Sequence, residues 1–228
     1  MIQIALDGPS GAGKSTIAKK IANQLGLVYI DTGAMYRAVG LFVLKKGIQT
    51  KDIEGVGAVL DQITIDIHHD PSGQQIVLNG ENVTDSIRTP EVSIAASDVS
   101  AIPSVRIKLV ELQRDLAKHH SVIMDGRDIG TYVLPDAKLK IFLTAAVENR
   151  AERRYDELML KKVDTTYDDV LKDIKYRDDN DSSRAYAPLK QADDAILIDT
   201  TGNSFEQSYE IILKLIADQV IHVCDEDC

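Results

Sequence analysis

Two groups of residues in this sequence are spaced for phosphate chemistry. The first is the run Gly8-Pro9-Ser10-Gly11-Ala12-Gly13-Lys14-Ser15-Thr16, which fits the pattern G-x-x-x-x-G-K-[ST]. Glycines let the chain turn so tightly that successive N–H groups point at one anion. A lysine at the place of Lys14 reaches β- and γ-phosphates, and a hydroxyl at the place of Ser15 ligates Mg²⁺. The chemistry is therefore binding of a nucleoside triphosphate with its metal. The loop does not say what receives the phosphate. The second group is a set of arginines. Arg150, Arg153 and Arg154 are spaced three and four apart, so they can share a helix face. That face is either solvated or, beside a triphosphate, a mobile lid. Arg177, Asp181 and Arg184 follow an i, i+4, i+7 spacing, which suits salt bridging or one wall of a site. Arg37 alone reads as a solvated helix charge. Arg106 falls in the first turn of a helix, where a cation opposes the dipole and invites a functional reason.

These residues need elements to position them. An apolar run, Ile2 to Leu6, ends in Asp7 and reads as the strand before the loop. Ile17, Ala18, Ile21, Ala22 and Leu25 mark the helix after it, with Gly26 as its C-terminal cap. Leu27 to Ile30 is a short buried strand, and Thr32 to about Lys46 is a helix opened by Asp31. Residues 63–83 alternate around Asp70-Pro71-Ser72-Gly73 and Asn79-Gly80, which predicts a small antiparallel insertion. His68 and His69 are adjacent on it and point to opposite faces, so they read as surface and turn residues, not a metal pair. Helices follow at 90–100 and from Pro103. Val122 to Asp125 is a strand ending in an acid, like a Walker B element, and Leu139 to Thr144 is another strand. Thr165-Thr166 caps a helix that leads into Arg177. Ala195 to Asp199 is the last strand, and Asn203 or Ser204 caps the last helix. Parallel-type strands alternating with helices give a P-loop α/β/α three-layer sandwich with a parallel core sheet.

Bulk properties restrict the partners. With 228 residues one domain is expected. The net charge of −10 disfavours a nucleic acid polymer. No apolar run approaches the ~20 residues of a membrane span, and no signal-peptide pattern opens the chain, so the default is a cytoplasmic protein. Cys224 and Cys228 are the two cysteines, with His222 nearby, and all three read as parts of a solvated acidic tail.

Taken together the motifs resemble the bacterial cytidylate kinases, from Ile4 to about Asp199. The resemblance is carried by Asp7 to Lys14, Asp31-Thr32-Gly33-Ala34-Met35-Tyr36-Arg37, Ile87 to Val92, Asp125-Gly126-Arg127-Asp128-Ile129-Gly130-Thr131, and Arg177 to Arg184. It implies transfer of the γ-phosphoryl group of ATP to CMP or dCMP. It implies one domain over 1–228, with residues 63–100 as the monophosphate-binding insertion and 150–168 as a lid. It also implies a monomer with Mg²⁺ and small-molecule substrates. By the resemblance, Arg37, Arg127 and Arg184 hold the acceptor phosphate with Thr32, which stands where a serine is common. Ser97, Arg106 and Asp128 read the base, and Arg177 and Asp181 hold the sugar. Lys14, Arg127 and Arg184 are catalytic, and Arg150 and Arg154 join the loop at ATP. Ser15 falls where some relatives carry Gly or Thr, so its metal role rests on its chemistry.

Two rival readings are weaker. Another small-molecule kinase, for instance one acting on shikimate, would share the loop but not the other motifs. A GTPase switch would need an Asn-Lys-x-Asp loop, and none occurs. The Asp-x-x-Gly runs at Asp52 and Asp70 do not end a core strand.

Overall fold

A computed structural model describes residues 1–70 and 73–221. Its centre is a five-stranded parallel sheet in the order β2-β6-β1-β7-β8. The strands are β1 (Gln3–Asp7), β2 (Val28–Asp31), β6 (Val122–Gly126), β7 (Leu139–Thr144) and β8 (Ile196–Asp199). They are short apolar runs because both faces are covered. Along β1, Ile4 and Leu6 pack with Ile17 and Ile21 of α1 (Lys14–Leu25) and Ile212 of α8 (Phe205–Ile216). Ala5 between them points the other way, toward Val110 and Ala117 of α5 (Pro103–His119). That strand periodicity of two makes the three layers.

A second hydrophobic cluster lies off the sheet. It joins α2 (Thr32–Lys45), α4 (Pro90–Ser100) and the start of α5 to an antiparallel sheet of β3 (Ile65–Asp70), β4 (Gly73–Leu78) and β5 (Glu81–Asn82). This is the insertion read from the sequence. It docks on β2, the edge of the core sheet. Gln74 accepts from Asp31 N at 2.8 Å, and His69 Nε2 donates to the Tyr29 carbonyl at 2.8 Å. Polar side chains thus occupy an edge that would otherwise expose unpaired backbone groups. His69 was expected in a turn; it lies in β3 and ties the two sheets together.

Helices α6 (Val147–Leu160) and α7 (Tyr167–Ser183) form a hairpin with its own small core of Ala151, Leu158, Val170 and Ile174. Thr166 caps α7 by accepting from Asp169 N, and Ser204 caps α8 in a capping box with Gln207. Gly26 caps α1 in the left-handed region, as expected. One helix was not anticipated, α3 (Ile53–Val59), which is short and carries Gly55 and Gly57. The Asp52-x-x-Gly55 pattern is its start: the Asp52 side chain accepts from Gly55 N at 3.0 Å. Pro71, Ser72, His222, Cys224, Cys228 and the acidic tail lie outside the described residues.

Candidate functional site

The carboxyl ends of the core strands converge on one cleft of about 1070 Å³. In register, Asp7 of β1 faces Gly126 of β6, and Asp31 of β2 faces Asp125. The loops leaving these strands therefore meet. Ligands of open α/β sheets bind at such an edge.

On one side lies the loop from Gly8 to Gly13. Gly8 has φ of 145°, and a Cβ there would sit 1.9 Å from the Leu143 carbonyl oxygen. Only glycine allows β1 and the loop to pass β7 so closely. Lys14, the first residue of α1, is buried and folds back to donate to the carbonyls of Gly8 at 2.7 Å and Pro9 at 2.8 Å. Burial first, and Arg127 second, push its ammonium down to about 7. Ser15 Oγ donates to Asp125 Oδ2 at 2.6 Å, and the Tyr29 hydroxyl donates to Oδ1 at 3.2 Å. Burial, then the charge of Asp31, push the Asp125 carboxyl up to about 6. An oxygen-only pair whose carboxylate is short of positive charge fits Mg²⁺. Among the described residues no cluster of three or more acidic, His or Cys side chains could hold an ion alone. The triphosphate oxygens would supply the remaining ligands.

On the other side stand arginines. Arg37, on α2, donates to Asp31 Oδ2 at 2.8 Å, and Asp31 also caps α2 by accepting from Ala34 N at 2.9 Å. Arg127 donates from Nε to Asp181 Oδ2 at 2.8 Å. Asp128 is buried and accepts from Arg106 Nη2 and, at 3.4 Å, from Arg184 Nη2. Arg106 also lies over the Tyr36 ring, 5.3 Å from its centroid, and is 1% exposed. Its awkward place in the helix thus has an answer. Arg184 lies just past α7, in extended backbone, and still reaches Asp128 and Asp181.

The hydrogen-bond accounts of this wall do not close. Among the described residues, five buried side-chain polar atoms lack a partner, and three of them are the Nε atoms of Arg37, Arg106 and Arg177. All three residues line the cleft. Burial, then repulsion by Arg127, bring the Arg177 guanidinium down to about 10, so it stays charged at neutral pH. Buried donors without acceptors are rare in folded proteins, and a cluster of them marks the place of an anionic ligand.

The structure thus brings most of the sequence candidates together. Ser10 to Thr16, Thr32, Arg37, Ser97, Arg106, Arg127, Asp128, Arg154, Arg177, Asp181 and Arg184 all line the cleft. Gly8 and Pro9 contribute through the carbonyls that hold Lys14. The Thr32 hydroxyl donates to the Asp125 carbonyl at 2.8 Å, and Ser97 Oγ accepts from Asn180 at 2.9 Å. Arg150 stands apart from the other candidates. It does not line the cleft; it lies buried behind the loop and donates to the carbonyls of Ala145 and Ser10, each at 2.8 Å. Arg153 lines the cleft instead, held by the carbonyls of Thr200 at 2.7 Å and Asn203 at 3.2 Å. Asn203, Ser204 and Phe205 also line the cleft, and the first two were read only as alternative helix caps. Asp7 is a further residue that motif reading missed. Its carboxyl accepts from Ile129 N at 2.8 Å and Gly130 N at 2.7 Å, fixing the turn that presents Asp128.

A family profile described as Cytidylate kinase matches residues 4–218. The chain is 55% identical over 214 residues to "Cytidylate kinase" of Caldicellulosiruptor saccharolyticus, covering 94% of this chain and 95% of that one. It is 49% identical over 212 residues to "Cytidylate kinase" of Streptococcus pneumoniae, with coverage of 92% and 95%. Among solved structures, a gluconokinase of Sinorhizobium meliloti 1021 superposes with a TM-score of 0.53 at 13% identity, covering 100% of this chain and 98% of that chain. That likeness concerns the fold alone.

Proposed function

The chain belongs to the cytidylate kinase family, and from that premise we propose that its cleft seats ATP and CMP or dCMP end to end and moves the γ-phosphoryl group between them. The observation that carries this reading is the trio of unpartnered Nε donors, on Arg37, Arg106 and Arg177, opposite Lys14. A triphosphate loop needs one anion; a second wall of arginines with free Nε donors asks for another polar ligand.

The donor triphosphate lies on the N–H groups of Gly11 to Thr16 and the N-terminus of α1. Lys14 exchanges its two carbonyls for phosphate oxygens, which restores the charge that burial depresses. Mg²⁺ held through Ser15 and Asp125 would neutralise β- and γ-oxygens. Arg37, Arg127 and Arg184 take the acceptor phosphate with Thr32, while Arg177 and Asp181 take the sugar. Asp128 has acceptor capacity left after two arginine contacts, since a carboxylate offers about four lone-pair sites. It accepts from the amino group of cytosine, while Arg106 donates to N3 or O2 and Ser97 supports the same edge. Uracil would turn an oxygen toward that carboxylate.

No protein nucleophile is required. An oxygen of the acceptor phosphate attacks the γ-phosphorus in line, the bond to the β–γ bridging oxygen breaks, and ADP leaves with that oxygen. Lys14, Arg127 and Arg184 bear the charge of the transition state. Residues 150–168 act as the lid, with Arg154 on its cleft side, and residues 63–100 as the acceptor region. A monomer in the cytoplasm completes the reading.

The test is an initial-rate panel with ATP, Mg²⁺ and each ribonucleoside monophosphate plus dCMP, followed by ADP formation. CMP and dCMP should support turnover and UMP far less. Equal rates with every acceptor, or with none, would overturn it.

A further inference from the structure

Loop residue Ser10 is gripped at both of its backbone groups by side chains from the α6–α7 hairpin. Its N–H donates to Asp178 Oδ1 at 3.3 Å, and its carbonyl accepts from Arg150 Nη1 at 2.8 Å. The same Nη1 lies 2.7 Å from Asp178 Oδ2, and Arg150 Nε donates to the Ala145 carbonyl at 2.8 Å, just beyond β7. The Arg150 side chain is 7% exposed and that of Asp178 22%, so this is a partly buried, charge-assisted network and not a surface ion pair. The backbone of α6 closes on the loop as well: a Cβ on Gly11 would lie 3.1 Å from the Arg150 carbonyl oxygen.

The arrangement bears on one peptide unit. A phosphate loop works only while its N–H groups face the anion and its carbonyls face away. The peptide between Ser10 and Gly11 can turn over, because Gly11, at φ of 75°, lacks the Cβ that would resist rotation. Turned over, it would aim the Ser10 carbonyl toward the cleft that Ser10 and Gly11 line. Arg150 holds that carbonyl outward, and Asp178 holds Arg150.

We propose that Asp178 and Arg150 are positioning residues that lock the Ser10–Gly11 peptide in its anion-binding orientation, so that the helix carrying Arg177 and Asp181 also sets the shape of the donor loop. The proposal rests on the reading of the cleft as an ATP site, and it replaces direct contact of Arg150 with phosphate by action through Ser10.

Four full-length proteins test it: wild type, Asp178→Asn, Arg150→Met and the double variant. Binding of mant-ATP with Mg²⁺ and no acceptor is followed by fluorescence, alongside kcat and the KM values for ATP and CMP. Each single variant should weaken mant-ATP binding and raise the KM for ATP about tenfold, with the KM for CMP within about twofold of wild type. The double variant should be no worse than about twice the poorer single one, because both act through one peptide. ATP affinity within about twofold of wild type in Asp178→Asn would overturn the proposal, as would effects that multiply in the double variant. If Arg150→Met fails to fold, Asp178→Asn decides, since it keeps shape and an acceptor for Ser10 N–H. If wild type makes no CDP from CMP, the acceptor assignment fails while mant-ATP binding still judges the clamp.

Discussion

Arg127 and Asp181 stand 54 positions apart in the chain and meet at 2.8 Å, Nε on Oδ2. One leaves the end of β6 and the other lies in the last turn of α7. Their pairing ties the core sheet to the α6–α7 hairpin at the cleft. Although burial raises the Asp181 carboxyl, Arg127, Arg184 and Arg177 outweigh that and hold it below the usual range. The Arg127 side chain is 20% exposed and that of Asp181 7%, so losing the carboxylate strands a partly buried guanidinium, at about 1–3 kcal/mol. Asp181→Ala should therefore lower the unfolding midpoint in urea and raise the KM for CMP at least about tenfold, more than it raises the KM for ATP. Unchanged values in both assays would reduce the pair to an incidental contact.

On the proposed reading, Lys14 should bear on turnover more than on acceptor binding. Its ammonium is held by backbone carbonyls of Gly8 and Pro9 and not by a carboxylate, so truncation strands no charged partner. Lys14→Ala should lose about 10²–10³ in kcat, the usual scale for one transition-state donor, with CMP affinity mostly kept. Product formation in a quench assay and CMP titration by calorimetry separate the two quantities.

Asp128 should decide between bases. In Asp128→Ala the side-chain acceptor is gone, and Arg106 and Arg184 lose their shared carboxylate. Discrimination resting on one buried polar match is worth roughly 1–3 kcal/mol. The ratio of kcat/KM for CMP over UMP should fall about ten- to a hundredfold. A ratio that survives would assign base reading elsewhere in the wall.

Legibility followed locality. Gly8 to Thr16 could be read because a phosphate loop is contiguous, and its flanking strand and helix appear in the same stretch. The sheet could be read because strands buried on both faces are apolar runs ending in acids, as at Asp7, Asp31 and Asp125. Arg106 announced itself by opposing the dipole of α5. The place of Arg150 behind the loop was not legible, because sequence spacing shows which side of a helix a residue takes, not what lies on that side. Its partners Ser10 and Asp178 come from β1's loop and from α7. Arg153 with Thr200 and Asn203 was missed for the same reason, as was Asp7 with Ile129 and Gly130. Such contacts join residues whose proximity exists only after folding. Helix α3 escaped because Gly55 and Gly57 lower its propensity, and only the Asp52 cap marks it.

Asp7 supplies a prediction in pH. It sits directly before the phosphate loop, is buried, and has its carboxyl pushed up to about 7 by desolvation, against the lowering effect of Gly130 N–H and Ile129 N–H. An ordinary aspartate titrates at 3.8. Between those two values the folded protein holds a proton that the unfolded chain has released. Stability from this group is thus complete below the unfolded value, declines as pH rises through the window, and is gone above about 7. Asp7→Asn carries no titrating group, so subtracting it removes most of what Lys14 and the other groups contribute. Urea unfolding of both proteins at about pH 5 and about pH 8 should show wild type losing ground to Asp7→Asn at the higher pH, by on the order of 2 kcal/mol. A difference that stays constant would mean that the two backbone donors hold Asp7 ionised throughout, and that the turn presenting Asp128 rests on a permanent charge.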